Sequence, residues 1–301
     1  MNILLTNDDS DATNGIRIIQ QKLRSAGHNV TIVAPKFNNS GAGAGFDLSR
    51  PRIKLAKVST NPDIYNVASV CPTATELPTG CAAGTELGPA SPSVALQIGY
   101  TLLGSQNIDL VISGPNQGVN PGQTPVFSGT VGAILFAIST IHPNGPKPGI
   151  AISSNIDKSD LARLRQMGDF MVSLVAYLEK NVNVDKRLLP LGVGLNINYP
   201  DLASKEIKGV RISNQGNLLR TISQPPAQQG KTYTFSYTSK EGIFYNPAKF
   251  VPMKTAIKTR NNSDDDFLAA GYITIVPMEV DITAKSSLFS EIQRRLKSFH
   301  K

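Results

Sequence analysis

One stretch near the start of the chain limits its folding more than any other: an apolar strand, an amphipathic helix and a second apolar strand follow one another within about 35 residues. NILL leads into GIRIIQQKLRSAGH, where Ile16, Ile19, Leu23 and Ala26 recur at spacings of three and four, the stripe of a helix packed on one side. Gly27 closes that helix, and VTIVAP follows as a short buried strand. A connection of this length joins parallel strands through a right-handed crossover.

The pattern returns downstream. IDLVISG precedes a glycine-rich loop and SGTVGAILFAIST, with Ser128 in the N-cap position; GIAISS, the amphipathic run SDLARLRQMGDFMVSLVAYLEKN and GVGLNINYP continue the alternation. Such alternation predicts an α/β fold with a doubly wound, mostly parallel sheet covered on both faces. Beyond residue 200 KTYTFSYT alternates like an exposed antiparallel strand, GYITIVPMEV reads as a sheet strand, and SSLFSEIQRRLKSF ends the chain as a helix with Leu288, Ile292, Leu296 and Phe299 on one side. The 301 residues are therefore expected to form a single domain, with a core over 1–200 and an extension over 201–301 that docks on the core or on a second subunit.

Composition removes several function classes. No apolar run reaches the roughly 18 to 20 residues of a membrane span. The net charge of +8 comes from scattered Lys and Arg, which predicts a solvated basic surface, with a field that draws anionic substrates as the alternative, and no stable nucleic-acid complex. The three histidines have no ligand spacing, so a metal site here must be built from oxygen. Cys71 and Cys81 both fall in the loop-like run VCPTATELPTGCAAGTELGPASP, either as a bridge closing that loop or as two free thiols. A bridge, with a leader removed before Met1, goes with an exported chain; a native start at Met1 goes with the cytoplasm.

Ligands of open α/β sheets bind beyond the carboxyl ends of the strands. Asp8 and Asp9 stand there, two like charges that repel unless a cation or donors hold them. Because consecutive strand residues face opposite ways, the pair converges only if the chain leaves strand geometry. With Ser40 from KFNNSGAGAG and Asn116 from GPNQGVNPG, the strand ends offer two carboxylates, a hydroxyl and an amide carbonyl. These hard oxygen donors suit one Mg²⁺ or Mn²⁺ completed by water and a substrate phosphate. Ser128, Gly129 and Thr130 open a helix whose free amides and positive end can receive that phosphate, and Asn120 either reaches the same anion or holds the turn. The glycines of SGAGAG follow the second strand and lack the G-x-G-x-x-G spacing, so they give no dinucleotide fingerprint.

NILLTNDD (2–9), APKFNNSGAG (34–43), DLVISGPNQGVNPG (109–122), SGTVGA (128–133) and LNINYPD (195–201) resemble, in the same order, the motifs of the SurE family, the survival-protein phosphatases; DDFLAAGYITIVPMEVDIT (265–283) resembles that family's C-terminal strand. The resemblance implies a Rossmann-like three-layer core, a projecting hairpin near residues 220–260, and a C-terminal segment exchanged in a homodimer. It also implies a divalent cation on Asp8, Asp9, Ser40 and Asn116, and nucleoside 5′- or 3′-monophosphates as substrates. The expected reaction is hydrolysis of a phosphomonoester by a metal-activated water, with Asp8 and Asp9 as the catalytic carboxylates and Asp8 orienting or deprotonating the water. Three positions depart from the family pattern. Ser10 stands where glycine is usual, GQTPVF (122–127) replaces an acidic stretch, and SPSVA (91–95) replaces a Thr-Pro-x-Asp-Cys type segment. These departures motivate an alternative, a phosphate- or nucleotide-binding protein of the same fold with weakened turnover.

Overall fold

The computed structural model describes residues 1–46, 52–71, 84–139, 145–182, 185–217, 227–229, 232–234, 262–281 and 286–295. In chain order the elements are β1 (Asn2–Thr6), α1 (Asn14–Ser25), β2 (Asn29–Pro35), β3 (Ile53–Lys57), β4 (Ile64–Val70), β5 (Glu86–Pro89) and α2 (Pro92–Leu103). Then come β6 (Leu110–Gln117), α3 (Gly129–Ile138), β7 (Gly149–Ser154), α4 (Leu161–Lys180), β8 (Gly194–Tyr199) and β9 (Val210–Ile212). The chain continues with β10 (Ala227–Gln229), β11 (Thr232–Thr234), α5 (Asp264–Ala269), β12 (Ile273–Met278) and α6 (Ser286–Arg295).

Ten strands form one sheet in the order β3-β4-β2-β1-β6-β7-β8-β12-β9, with β5 paired to β4. The six central strands from β4 to β8 run parallel, whereas β3, β5 and β12 run antiparallel to their neighbours β4, β4 and β8. Strand alternation sorts the core into two layers. Ile3 and Leu5 face Ile16, Ile19, Leu23, Leu164, Met167 and Met171 of α1 and α4. Leu4 faces the other way, toward Ala95, Leu96 and Tyr100 of α2 and Val131 and Ile134 of α3. The three-layer α/β fold expected from the alternating elements is therefore present.

From β1 the chain moves outward on one side to β2 and returns on the other side to β6, so strand order reverses at β1. The crevice beyond the carboxyl ends of β1 and β6 is the switch point, where loops diverge and leave room for a ligand.

The loop-like run that holds both cysteines carries regular structure at its C-terminal end, past Cys81. Glu86–Pro89 pairs with β4, and Ser91 caps α2 by accepting from the Val94 amide at 3.2 Å, with Pro92 in the first turn. Cys71 is disulfide-bonded. Cys81, the chain's one other cysteine, lies outside the described residues. Past residue 200, β12 and β9 extend the same sheet. Of the expected hairpin, β10 and β11 pair antiparallel over Ala227–Gln229 and Thr232–Thr234, and the rest of 218–261 lies outside the described residues. So do Leu296 and Phe299, while Ile292 on α6 is 52% exposed. Among the described residues no helix is long and apolar enough to cross a membrane.

Candidate active site

β1 ends at Thr6, and the chain bends over Asp8 and Asp9. Ser10 then takes φ +95°, the left-handed region in which glycine is at ease. The glycine usual at this position is explained by that backbone. Serine is held there by two bonds, donating from Oγ to the Lys36 carbonyl at 2.9 Å and accepting from the Ala12 amide at 3.3 Å. Asn7 fastens the same turn by donating to the Ser10 carbonyl at 2.9 Å.

The two carboxylates diverge into different surroundings. Asp8 is buried; its Oδ1 accepts from Thr130 Oγ1 at 2.6 Å, and the amides of Thr130 and Gly129 at the start of α3 also favour its charge. A Cβ on Gly129 would lie 2.9 Å from Asp8 Oδ2, so this approach requires glycine. Burial nevertheless wins and pushes the Asp8 carboxyl above its ordinary range, against the Thr130 hydroxyl and helix amides that lower it.

Asp9 is tied to the neighbouring loops: Oδ2 accepts from the Gln117 amide at 2.7 Å, and Oδ1 from Asn38 Nδ2 at 2.9 Å. Burial, together with the Asp8 charge, pushes it up to about 7, with the Gln117 amide and the Lys158 charge opposing. The Asp8 charge thus raises its neighbour Asp9, and Lys158 is the cation whose charge acts against that rise.

Asn116 sits at the end of β6, where the β6–β7 register shifts between Ser113 and Asn116. Its Nδ2 donates to the Gly118 carbonyl at 2.7 Å, but its Oδ1 is buried with no hydrogen-bond partner. A buried orphan acceptor on a residue that lines the same cleft as Asp9 fits a cation ligand. Ser40 is half-buried on the loop after β2, and it joins the site through its backbone: its amide donates at 3.0 Å to Asn38 Oδ1, whose amide nitrogen serves Asp9. Among the described residues no group of three or more His, Cys, Asp or Glu could hold a metal. The charge available here is that of the Asp8–Asp9 pair, and the other donors are neutral oxygens. That set fits a hard divalent cation that keeps part of its water shell, such as Mg²⁺ or Mn²⁺.

The groups expected on phosphate have other commitments. Ser128 Oγ accepts from the Val131 amide at 3.1 Å and caps α3, and Thr130 holds Asp8. Asn120 is buried between strands: Nδ2 donates to Ser153 Oγ at 2.8 Å, its amide donates to Asn198 Oδ1 at 2.6 Å, and its carbonyl accepts from Asn196 Nδ2 at 2.9 Å. Ser128 thus caps α3, Thr130 bonds Asp8 and Asn120 ties its loop to β7 and β8. Asn38, Gln117, Ser153, Asn196 and Asn198 were missed altogether. LNINYP alternates its side chains, so Asn196 and Asn198 point to one face, and that periodicity was the available signal.

The pair borders a cleft lined by Asp9, Pro115, Asn116, Gln117, Ile156 and Lys158, among others. Its walls are apolar on the helix side, and Lys158 brings a cation near the acids.

Residues 3–221 match the family model described as survival protein SurE. The chain is 30% identical over 288 residues to the 5′-nucleotidase SurE of Actinobacillus pleuropneumoniae serotype 5b, covering 96% of this chain and 97% of that one. It is 32% identical over 285 residues to the 5′-nucleotidase SurE of Picosynechococcus sp., covering 93% and 91%. The crystal structure of the SurE protein from Aquifex aeolicus superposes with a TM-score of 0.67 at 22% identity, covering 98% of this chain and 99% of that one, which shows the shared fold. With the family model matched across its core and relatives of this identity aligned over nearly its whole length, the chain belongs to the SurE family.

Proposed function

We propose that this protein is a divalent-metal-dependent phosphomonoesterase that hydrolyses nucleoside 5′- or 3′-monophosphates to nucleoside and phosphate. The observation that carries the reading is buried Asp8 next to half-buried Asp9 at the switch point of the sheet, with Asn116, whose Oδ1 is orphaned, lining the same cleft as Asp9. Relatives along the whole chain carry the name 5′-nucleotidase, which supports the substrate class.

Asp8, Asp9 and Asn116 would hold the cation, with Ser40 on the adjoining loop; when bound, the cation supplies charge neutralisation and a water of lowered pKa. Thr130 and the α3 amides keep Asp8 fixed and favour its ionised form. The Gln117 amide and Asn38 do the same for Asp9. Asp8, buried and oriented by three donors, is the carboxylate placed to orient an attacking water or to take its proton. Lys158 and the net basic surface draw the anionic substrate toward the cleft.

A panel of 5′- and 3′-nucleoside monophosphates and an aryl phosphate, each assayed with Mn²⁺, with Mg²⁺ and with chelator, tests the proposal. Turnover of nucleotides that chelator abolishes and Mn²⁺ restores is expected. Retained nucleotide binding without release of phosphate from any member would replace it with the binding-protein alternative.

A further inference from the structure

The loop that follows Asn116 is fastened from outside the metal centre by one buried acid. Asp264, at the start of α5, is fully buried, and among the described residues no cationic side chain pairs with it. Its carboxylate is instead satisfied by backbone amides: Gly122 at 3.2 Å to each oxygen, Gly216 at 2.7 Å and Asp265 at 3.0 Å, the last two to Oδ1. Gln215, next to Gly216, donates from Nε2 to the Gly122 carbonyl at 2.6 Å, so both sides of the Gly122 residue are held by the 214–216 segment and α5. The two chain segments meet closely. The Asp264 amide donates to the Asn214 carbonyl at 2.9 Å, Asn214 bridges to Ser263, and an added Cβ on Gly216 would lie 1.8 Å from Asp265 Oδ2.

A carboxylate that accepts several amides fixes those amides relative to one another, because each charged hydrogen bond is directional and is made away from competing water. The three segments joined here are the 116–122 loop, the 214–216 segment and the start of α5. The first carries Asn116 and Asn120. The other two are joined to each other by the Asp264 amide on the Asn214 carbonyl. We infer that Asp264 is a positioning residue for the active site: by clamping Gly122 it fixes the loop that presents Asn116 and Asn120, and it couples that loop to the 214–216 segment. The catalytic part of this inference rests on the phosphomonoesterase reading, whereas the clamp itself does not.

Asp264→Asn, nearly isosteric, tests it in the full-length chain by amide hydrogen exchange and by metal-dependent turnover. Exchange over 118–124 and 213–217 should speed up by about tenfold or more, as expected when charged bonds become neutral ones, while β1 and α1 stay as protected as in the wild type. The KM for a nucleoside monophosphate should rise by about tenfold, the scale of a modest misplacement, with a smaller change in kcat, and the Mn²⁺ concentration for half-maximal rate should rise as well, because the loosened loop carries Asn116. Unchanged exchange over 118–124 would overturn the clamp. Uniformly faster exchange across the sheet would reduce Asp264 to a stabilising residue. Normal KM with a locally loosened loop would overturn its role in the site. Should the wild type hydrolyse no phosphomonoester, the functional reading falls while the exchange data still decide the clamp. If Asp264→Asn does not fold, Gln215→Ala releases the same residue from its other side; it should loosen 118–124 to a lesser degree, and no loosening would contradict the inference.

Discussion

At the scale of single residues, the site is a set of acids whose repulsion is held by donors from distant parts of the chain. Without a cation, Asp9 holds its proton up to about 7 in the folded chain, above the ~3.9 of an unfolded aspartate. A raised folded value contributes stability that is complete below the unfolded value and is lost as pH rises through the folded one. Chelated protein should therefore show a lower urea midpoint at pH 8 than at pH 5, and Asp9→Asn should shrink the difference. An equal pH dependence in the variant would show that Asp9 is not the group responsible. Thr130→Val removes the hydroxyl on Asp8 and keeps the volume. Its cost, about 1–3 kcal/mol for a bond to a charged group, should appear in kcat/KM with the inhibition constant for inorganic phosphate unchanged; a weakened phosphate constant would return Thr130 to the anion. Ser10 separates strain from bonding. Ser10→Ala keeps φ +95° and loses both hydroxyl bonds, so it should cost about 1 kcal/mol, whereas Ser10→Gly relieves the backbone and should lie near neutral by urea unfolding. The placement of Asp8, Asp9 and Asn116 at the ends of β1 and β6 was legible because each follows an apolar strand pattern directly in the sequence. Thr130's service to Asp8 was not, because its partner lies 122 positions away and the hydroxyl looked free for any anion.

At the scale of elements, legibility followed periodicity. β1, α1 and β2 were readable because the helix stripe is regular and the strands are buried on both faces. β3, β4 and β5 were not. β3 is largely exposed at the sheet edge, β5 has four residues with a glycine and a proline, and no helix stripe separates them to announce a crossover. β9 is likewise a three-residue exposed edge. In α4 the buried face runs through Leu164, Met167, Met171 and Val175, while Leu161 at its start is 38% exposed. Cys71 follows directly on β4, its amide donates to the Thr85 carbonyl at 2.8 Å, and it is disulfide-bonded. If the bridge closes the 71–81 loop, reduction should lower stability by about 2–3 kcal/mol, read as a lower melting temperature, with Mn²⁺ affinity unchanged. Loss of Mn²⁺ affinity on reduction would couple the bridge to the site.

At the scale of the whole molecule, the sheet joins the C-terminal region to the core through β12 and β9, and Asp264 joins it again at Gly122. Ile292 of α6 is 52% exposed, although its spacing with Leu288 marks an apolar stripe. We propose that this helix is covered in a homodimer. Deleting residues from Ser286 onward should convert dimer mass to monomer mass in light scattering, and a persisting dimer would assign the helix to its own core. The central claim, that Asp8 and Asp9 together hold one divalent cation, is tested most directly by titrating Mn²⁺ into the chelator-stripped protein and counting the free ion by electron paramagnetic resonance. One tightly held ion per chain, weakened by at least about tenfold in both Asp8→Asn and Asp9→Asn, is expected from the loss of one formal charge at a site that binds through charge. Unchanged Mn²⁺ binding in either variant would contradict it.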